Sequence, residues 1–345
     1  MSILSQQRSP NIIRGGRTLE IELPVLPLKM KGFFTVELID AKTKEVKFKS
    51  TFENTIVDSG LDTIYNTTTL LNAVTYVGVG TNNTTPAVGQ TGLLAEITPR
   101  SSFDGGTADT GAQDAVNGYY KLTRTRLFTE LQAVGNLAEL GIFSSPHSSG
   151  TNIMFARQLF KDGVGTPIVV PKTIVDQLRI TYELRMYYPL ADIVGGILTI
   201  NSVNYDYTIR TLDKASSSSA TWAYNGAASV WAQSVGSAGA SFWTTSFWVD
   251  KVSETNVLAS SVSSLSPATS QTRRDAAAYG AGTFYREHST YWDPGIANFA
   301  TGVGSFIPYI GTASPYQVSF GTLKIPKINT QRLTFNYRHT WGRYP

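Results

Sequence analysis

The sequence predicts a mainly β chain, with tandem antiparallel β-sandwich-like domains preceded by an extended N-terminal arm. Three observations predict it. Apolar and polar residues alternate with the period of two that a half-buried strand requires. Glycines and Asn/Ser clusters punctuate those segments at short intervals. Sustained helical periodicity is absent over 345 residues.

The elements follow in order. Residues 1–30 read as an arm, in which polar sequence with Arg8, Pro10, Arg14 and Arg17 leads into LEIELPVLPLKM. There Leu19, Ile21, Leu23 and Val25 alternate with Glu20, Glu22 and Pro24. Proline has no N–H to give a ladder, so Pro24 and Pro27 confine the segment to an edge or an extended arm. The four apolar residues are candidate assembly contacts, suited to docking on another copy of the chain. An ordinary first strand with a frayed start has the same pattern. Segments 33–39 and 45–51 then flank a turn and predict a hairpin. Ser59 heads a short helix over 59–66, with Leu61, Ile64 and Tyr65 on one face. Further strands are expected at 75–79, 119–128, 138–143, 154–160, 168–170 and 177–187.

Composition shifts near residue 190. All six tryptophans follow it, as do the Ser/Ala-rich stretches. This divides the chain into a β anchoring domain over 31–189 and a second β domain over 190–345. Strands of the second are expected at 197–209, 241–249, 282–286, 316–320 and 332–339. An echo links the two parts. Pro171, Lys172, Leu178 and Tyr182 match Pro326, Lys327, Leu333 and Tyr337 at one offset, 326 − 171 = 155. Duplicated β domains leave such a trace, as do two unrelated closing strands with similar turn chemistry.

Composition also bounds function. Charged residues make up 16%, against about 25% in soluble domains. The surface is therefore largely Ser, Thr, Asn, Gln and Gly, with few charges to desolvate at a subunit contact. A low-charge secreted domain fits that composition as well. Cysteine is absent, which removes disulfides, thiolate metal sites and Cys nucleophiles together. The net charge of +4 is dilute, and the Arg273-Arg274 pair is followed at once by Asp275, so no nucleic-acid partner is expected. No apolar signal core opens the chain, and runs such as 193–200 are too short for a bilayer, so no membrane insertion is expected.

Residues for chemistry are sparse. His147, His288 and His339 form no metal-ligand pattern, and no GxSxG occurs. VGVGTNN (77–83) lacks the third glycine of a dinucleotide loop and reads as a strand ending in a turn. Asp104, Asp109 and Asp114 recur every five residues, a spacing unlike an EF-hand, and read as a solvated loop. No acid pair stands out for glycoside hydrolysis. The chain is therefore read as non-enzymatic, with no catalytic, cofactor or metal residues. Trp243 and Trp248, in FWTTSFW, are candidate glycan contacts, since exposed aromatics stack on sugar rings. Core or interface packing is the competing reading.

One resemblance adds to this. FENTIVDSGLDTIYN (52–66) is followed by YVGVGTNNTTPAVGQTGLLAEI (76–97). Together they resemble a group of phage virion proteins described as tail, tail-fibre or structural proteins. Asn54, Val57, Gly60, Leu61 and Asp62 carry the first motif. Val77, Gly78, Gly80, Pro86 and Leu93 carry the second, and ELGIF and MFAR (139–143, 154–157) extend it. The resemblance covers roughly residues 31–189 and brings no catalytic residues. It implies a virion component made in the bacterial cytoplasm, with copies of itself and other virion proteins as partners. A receptor- or glycan-binding tip that uses the second domain against host surface glycan is the alternative.

Overall fold

The structure, a computed structural model, describes residues 14–15, 18–23, 25–63, 73–101, 110–114, 116–146, 152–187, 193–200, 202–211, 248–249, 268–269, 273–276, 279–296, 302–306, 316–320 and 323–345. The chain is mainly β, in several antiparallel sheets. A ten-stranded sheet is organised around the long strand Leu26–Asp40. One edge of that strand carries Asp176–Tyr187, then Tyr119–Phe128 and Thr110–Asp114. The other edge carries Val46–Glu53 along one half and the closing strand Arg332–Arg343 along the other. Beyond the closing strand lie Tyr285–Trp292 and Arg273–Ala276.

The alternation read in the sequence places the core. Burial in Asp176–Tyr187 switches at every residue. Leu178, Ile180 and Tyr182 stand opposite Leu38, Val36 and Phe34, so the buried residues of neighbouring strands share one face. The opposite face is polar. Thr125, Thr181, Thr35 and Thr51 form a row across four strands, with hydroxyl pairs at 3.0 and 2.9 Å. Two further sheets complete the core. One runs Thr55–Ile56, Met154–Leu159, Glu139–Phe143, Tyr76–Gly80 and Glu96–Ser101. The other runs Ile193–Ile200, Val203–Thr211, Tyr316–Ser319, Ser305–Phe306, Trp248–Val249 and Ala268–Thr269. A single apolar cluster joins all three sheets, from Ile56 and Val77 through Phe34 and Ile180 to Phe335 and Phe306. Phe306 stacks on Phe335 with ring centroids 4.5 Å apart and meets Trp292 edge-on.

The echo in the sequence extends to the strand pairings. Leu178 faces Phe128, and Leu333 faces Trp292. Glu139 lies between Gly80 and Leu159, and Ser305 lies between Val249 and Ser319. Ala156 pairs with Ile56, and Tyr316 with Thr211. Val170 pairs with Leu137, and Ile325 with Val303. The matched lysines also act alike. Buried Lys172 donates to the carbonyls of Thr129 and Glu130, directly after Phe128. Buried Lys327 donates to the carbonyl of Asp293, directly after Trp292. Burial pushes both ammonium groups below their ordinary pKa. The pairings recur in the same order along the chain, at offsets that run from 211 − 56 = 155 to 249 − 80 = 169, as a duplication with later insertions would leave them.

The correspondence stops at one edge. In the first half, Asp176–Tyr187 takes the long strand antiparallel. The matching edge of the closing strand instead takes Thr18–Glu22 and Leu26–Met30, both parallel. Ile193–Ile200 lies at the outer edge of the six-stranded sheet, although its hairpin matches that of the long strand. Hydrogen bonding therefore crosses residue 190, and the strand Leu26–Asp40 is continuous across residue 30, where the sequence reading ends the arm.

Other elements differ from expectation. The helix spans Asp58–Thr63, and the remainder of the expected 59–66 lies outside the described residues. The single strand expected at 197–209 is a hairpin, with Ser202 at φ 66° in its turn. Glu96–Ser101, Thr110–Asp114 and Arg273–Ala276 form strands without an alternating pattern. They are held by ladder hydrogen bonds to a neighbour more than by an apolar face of their own.

Candidate assembly surfaces

The glycines of the second motif lie on the face of the five-stranded sheet opposite Val77, Val79, Leu140 and Ile142, which belong to the shared apolar cluster. Gly78, Gly80 and Gly141 are register neighbours there and form a shallow trough. A Cβ on Gly80 would sit 2.5 Å from the Ala95 carbonyl and 2.7 Å from the Glu139 carboxylate. The trough therefore admits the returning loop only while it has no side chain. Glu139 and Arg157 lock that loop from below. Both are fully buried, 2.7 Å apart. Glu139 accepts the backbone N–H of Ala95 at 2.8 Å and of Leu94 at 3.3 Å. Arg157 donates to the Gln90 side chain at 2.9 Å and to the Thr84 carbonyl at 3.0 Å. With its remaining hydrogen-bonding positions filled, a buried ion pair is stable in place, and removing one partner strands a buried charge.

The other motif holds the short helix. Gly60 lies against the backbone of Phe155, so close that a Cβ would fall 2.2 Å from the Phe155 carbonyl oxygen. Asp62 accepts hydrogen bonds from the Tyr279 hydroxyl at 2.5 Å and the Gly282 N–H at 2.8 Å. Trp341 Nε1 donates to the Leu61 carbonyl at 2.9 Å. Sequence reasoning missed Glu139 and Arg157 as a pair. Eighteen residues separate them, and only the strand register brings them together.

The predicted arm residues sit on the closing strand of the same chain. Ile21 is 0% exposed and Leu23 9%, while Leu19 and Val25 are half-buried. Leu23 donates its N–H to the Asn336 carbonyl at 2.7 Å. The Asn336 amide in turn donates to Glu20 at 2.7 Å and Glu22 at 2.8 Å. The expected apolar contact is therefore made inside the chain in this structure. Pro24 follows directly, and Leu26 resumes the ladder against His339.

The remaining sequence candidates scatter. Trp248 lies in the short strand Trp248–Val249, opposite Thr269 and Phe306. Trp243, His147, Asp104 and Asp109 lie outside the described residues. Asp114 closes a turn, accepting hydrogen bonds from the side chain and backbone of Asn117, which hold its carboxyl at about 2. His339 is fully buried on the closing strand. Among the described residues no cluster of His, Asp and Glu could hold a metal ion.

An apolar surface was not anticipated. Leu131, Val134, Val164, Val169, Ile174 and Val175 are 41–89% exposed. They belong to loops that meet at one end of the sandwich. Lys172 ties 129–130 to the strand at 170–172, Gln177 donates to Glu130, and the Ala41 N–H reaches the Val175 carbonyl. Loops 40–47, 129–134 and 161–176 together carry five lysines and five acids, so this end is formally neutral. Comparison with protein-family models, curated proteins and solved structures returns no match for this chain.

Proposed function

We propose that the chain is a structural subunit of a bacteriophage virion, part of the tail, the collar or a tail fibre or appendage, that assembles with copies of itself. The observation that carries this reading is the apolar loop end. Burying one aliphatic side chain removes roughly 60–120 Å² from water, so six largely exposed ones come to several hundred Å². Apolar surface of that extent, where it is contiguous, is rarely left in water by monomeric proteins, and a standard interface buries about 800 Å² per partner. A formally neutral rim lets like surfaces meet without net repulsion. The resemblance supports a virion as the assembly. Its motif residues work as scaffold, holding a loop and a helix to a sheet, as suits a building block.

The test has two parts. Light scattering on the purified chain should give a homo-oligomer, and Leu131→Ser with Ile174→Ser should shift it toward monomer with the fold intact by circular dichroism. Density for the chain in a map of the intact particle should place it in the tail, collar or an appendage. A strictly monomeric chain that is absent from purified particles would overturn the reading.

One observation favours a second reading, a glycan-binding tip. The polar face of the large sheet ends in an aromatic and cationic row. Tyr187 stacks on Tyr344 at 3.7 Å, and Arg185 lies over Phe33 and Tyr119 at 4.1 and 4.6 Å. Tyr344 is 40% exposed. Glycan-array binding that is lost in Tyr344→Ala would favour this reading, and an array without signal would remove it.

A further inference from the structure

We propose that copies of the chain join end to end, the apolar loop end of the first half packing against the matching loop end of the second half of the next copy. The inference rests on the assembly reading above and names the surface that the apolar loop end meets. Three observations carry it.

The two ends are built alike. In the first half Val169, Pro171 and Ile174 are exposed around the buried Lys172. In the second half Leu323, Pro326 and Ile328 are exposed around the buried Lys327. Leu323 and Ile328 are 54% and 55% exposed. Each buried lysine ties its segment to the neighbouring turn through backbone carbonyls. Both ends therefore present aliphatic side chains from a backbone already held in place, which lowers the ordering cost of covering them.

The two ends face opposite ways. The first loop leads into Asp176–Tyr187, which runs antiparallel to the long strand. The second leads into Arg332–Arg343, which runs parallel to it. Asp176 lies beside Asp40, at the finish of the long strand, whereas Arg332 lies beside Thr18, beyond its start. Arg343 is level with Met30, so the path from Arg332 to Arg343 and on from Met30 to Asp40 covers twenty-one strand positions, 343 − 332 and 40 − 30. At about 3.3 Å each this is roughly 70 Å along the strands. A contact between opposite ends is heterologous and repeats into a ring or a filament, whereas a contact between like ends closes at two copies.

Coverage and charge favour unlike ends. Pairing two first-half ends would leave Leu323, Pro326 and Ile328 in water on both copies, while the end-to-end contact covers both sets at every junction. Loops 293–296 and 323–331 carry Asp293 against Lys324 and Lys327. Two such ends repel each other, and facing the formally neutral first-half end removes that repulsion.

Damage to either end should then dissolve the assembly. Ile174→Glu and Ile328→Glu, both at exposed positions, should each give monomers by light scattering with the circular dichroism of the parent. Mixed together they should give a dimer and nothing larger, because each supplies the end that the other lacks. The absence of cysteine allows a second measurement. Ile174→Cys and Ile328→Cys, treated with a flexible bismaleimide, should link when mixed and not when alone. Oligomers that persist in Ile328→Glu, with Ile174→Cys linking to itself, would overturn the end-to-end contact and leave the assembly reading standing. A mixture of the two Glu variants that stays monomeric while the parent assembles would overturn it as well. A parent chain that is monomeric under every condition would overturn both.

Discussion

At the residue scale, the ion pair Glu139–Arg157 is the group on which most depends. Arg157→Met leaves Glu139 buried without its cation, and such losses cost about 3–5 kcal/mol. The expected outcome is a lower denaturation midpoint and early proteolysis within 81–95, the loop the pair holds. Adding Glu139→Gln should restore part of the loss, because the stranded charge is then gone, and a double-mutant cycle measures that coupling. Gly60→Ala has no such remedy, since its Cβ would meet backbone 2.2 Å away. The strand Met154–Leu159 or the helix must shift, and overpacking of this kind costs about 1–3 kcal/mol or more. The glycines of the motif are visible in the sequence, but the carbonyls that exclude a side chain from them are not, because those come from strands distant in the chain.

Titration belongs to the same scale. Hydrogen bonding to Arg179 holds Glu37 below the ordinary carboxylate range. Burial pushes Asp176 up, but its hydrogen bonds to Lys47 and Thr173 outweigh it, and its pKa also falls. A carboxylate depressed in the folded state adds stability that is present above its unfolded pKa, about 4. That stability is lost as pH falls through the folded value. Urea denaturation should therefore give a flat stability from neutral pH to about 5, then a decline. Glu37→Gln with Asp176→Asn should flatten the decline.

At the element scale, the strands with alternating apolar residues were legible, and Tyr119–Phe128 has the boundaries the alternation predicts. Edge strands were not legible, because RRDA and TGAQD carry no apolar face and are fixed only by the partner beside them. The hairpin at Ser202 was missed for a related reason. Its two strands are both apolar on alternate positions, so they read as one run unless the turn is recognised. The lysines of the echo give a further prediction. Lys172→Met and Lys327→Met each leave backbone carbonyls without their donor, a loss of about 1–3 kcal/mol apiece. The two effects should add within error, because the lysines grip different turns, and thermal unfolding of the single and double variants checks this.

At the scale of the whole molecule, the fold class was legible in the sequence, while the order of strands within sheets came only from the structure. The apolar arm was legible as a docking segment, but its acceptor is the closing strand of the second half. No local pattern announces a pairing between positions 18–22 and 332–336. Substituting Ile21→Asp should test its weight. A charge placed in the shared core should release the segment, and hydrogen exchange at the Leu23 amide, bonded here to Asn336, should rise to the rate of an open chain.

That pairing also imposes a schedule on biosynthesis. At about 5–20 residues per second, a ribosome needs about 15–60 s to bring Arg332–Arg343 into existence after Thr18–Glu22 has emerged. Throughout that interval the early segment is without its acceptor, and the charges of Glu20 and Glu22 disfavour its pairing with other strand edges. A polypeptide broken off before residue 332 never makes the acceptor, so Thr18–Glu22 and Tyr285–Trp292 are left without the strand that joins them to the large sheet.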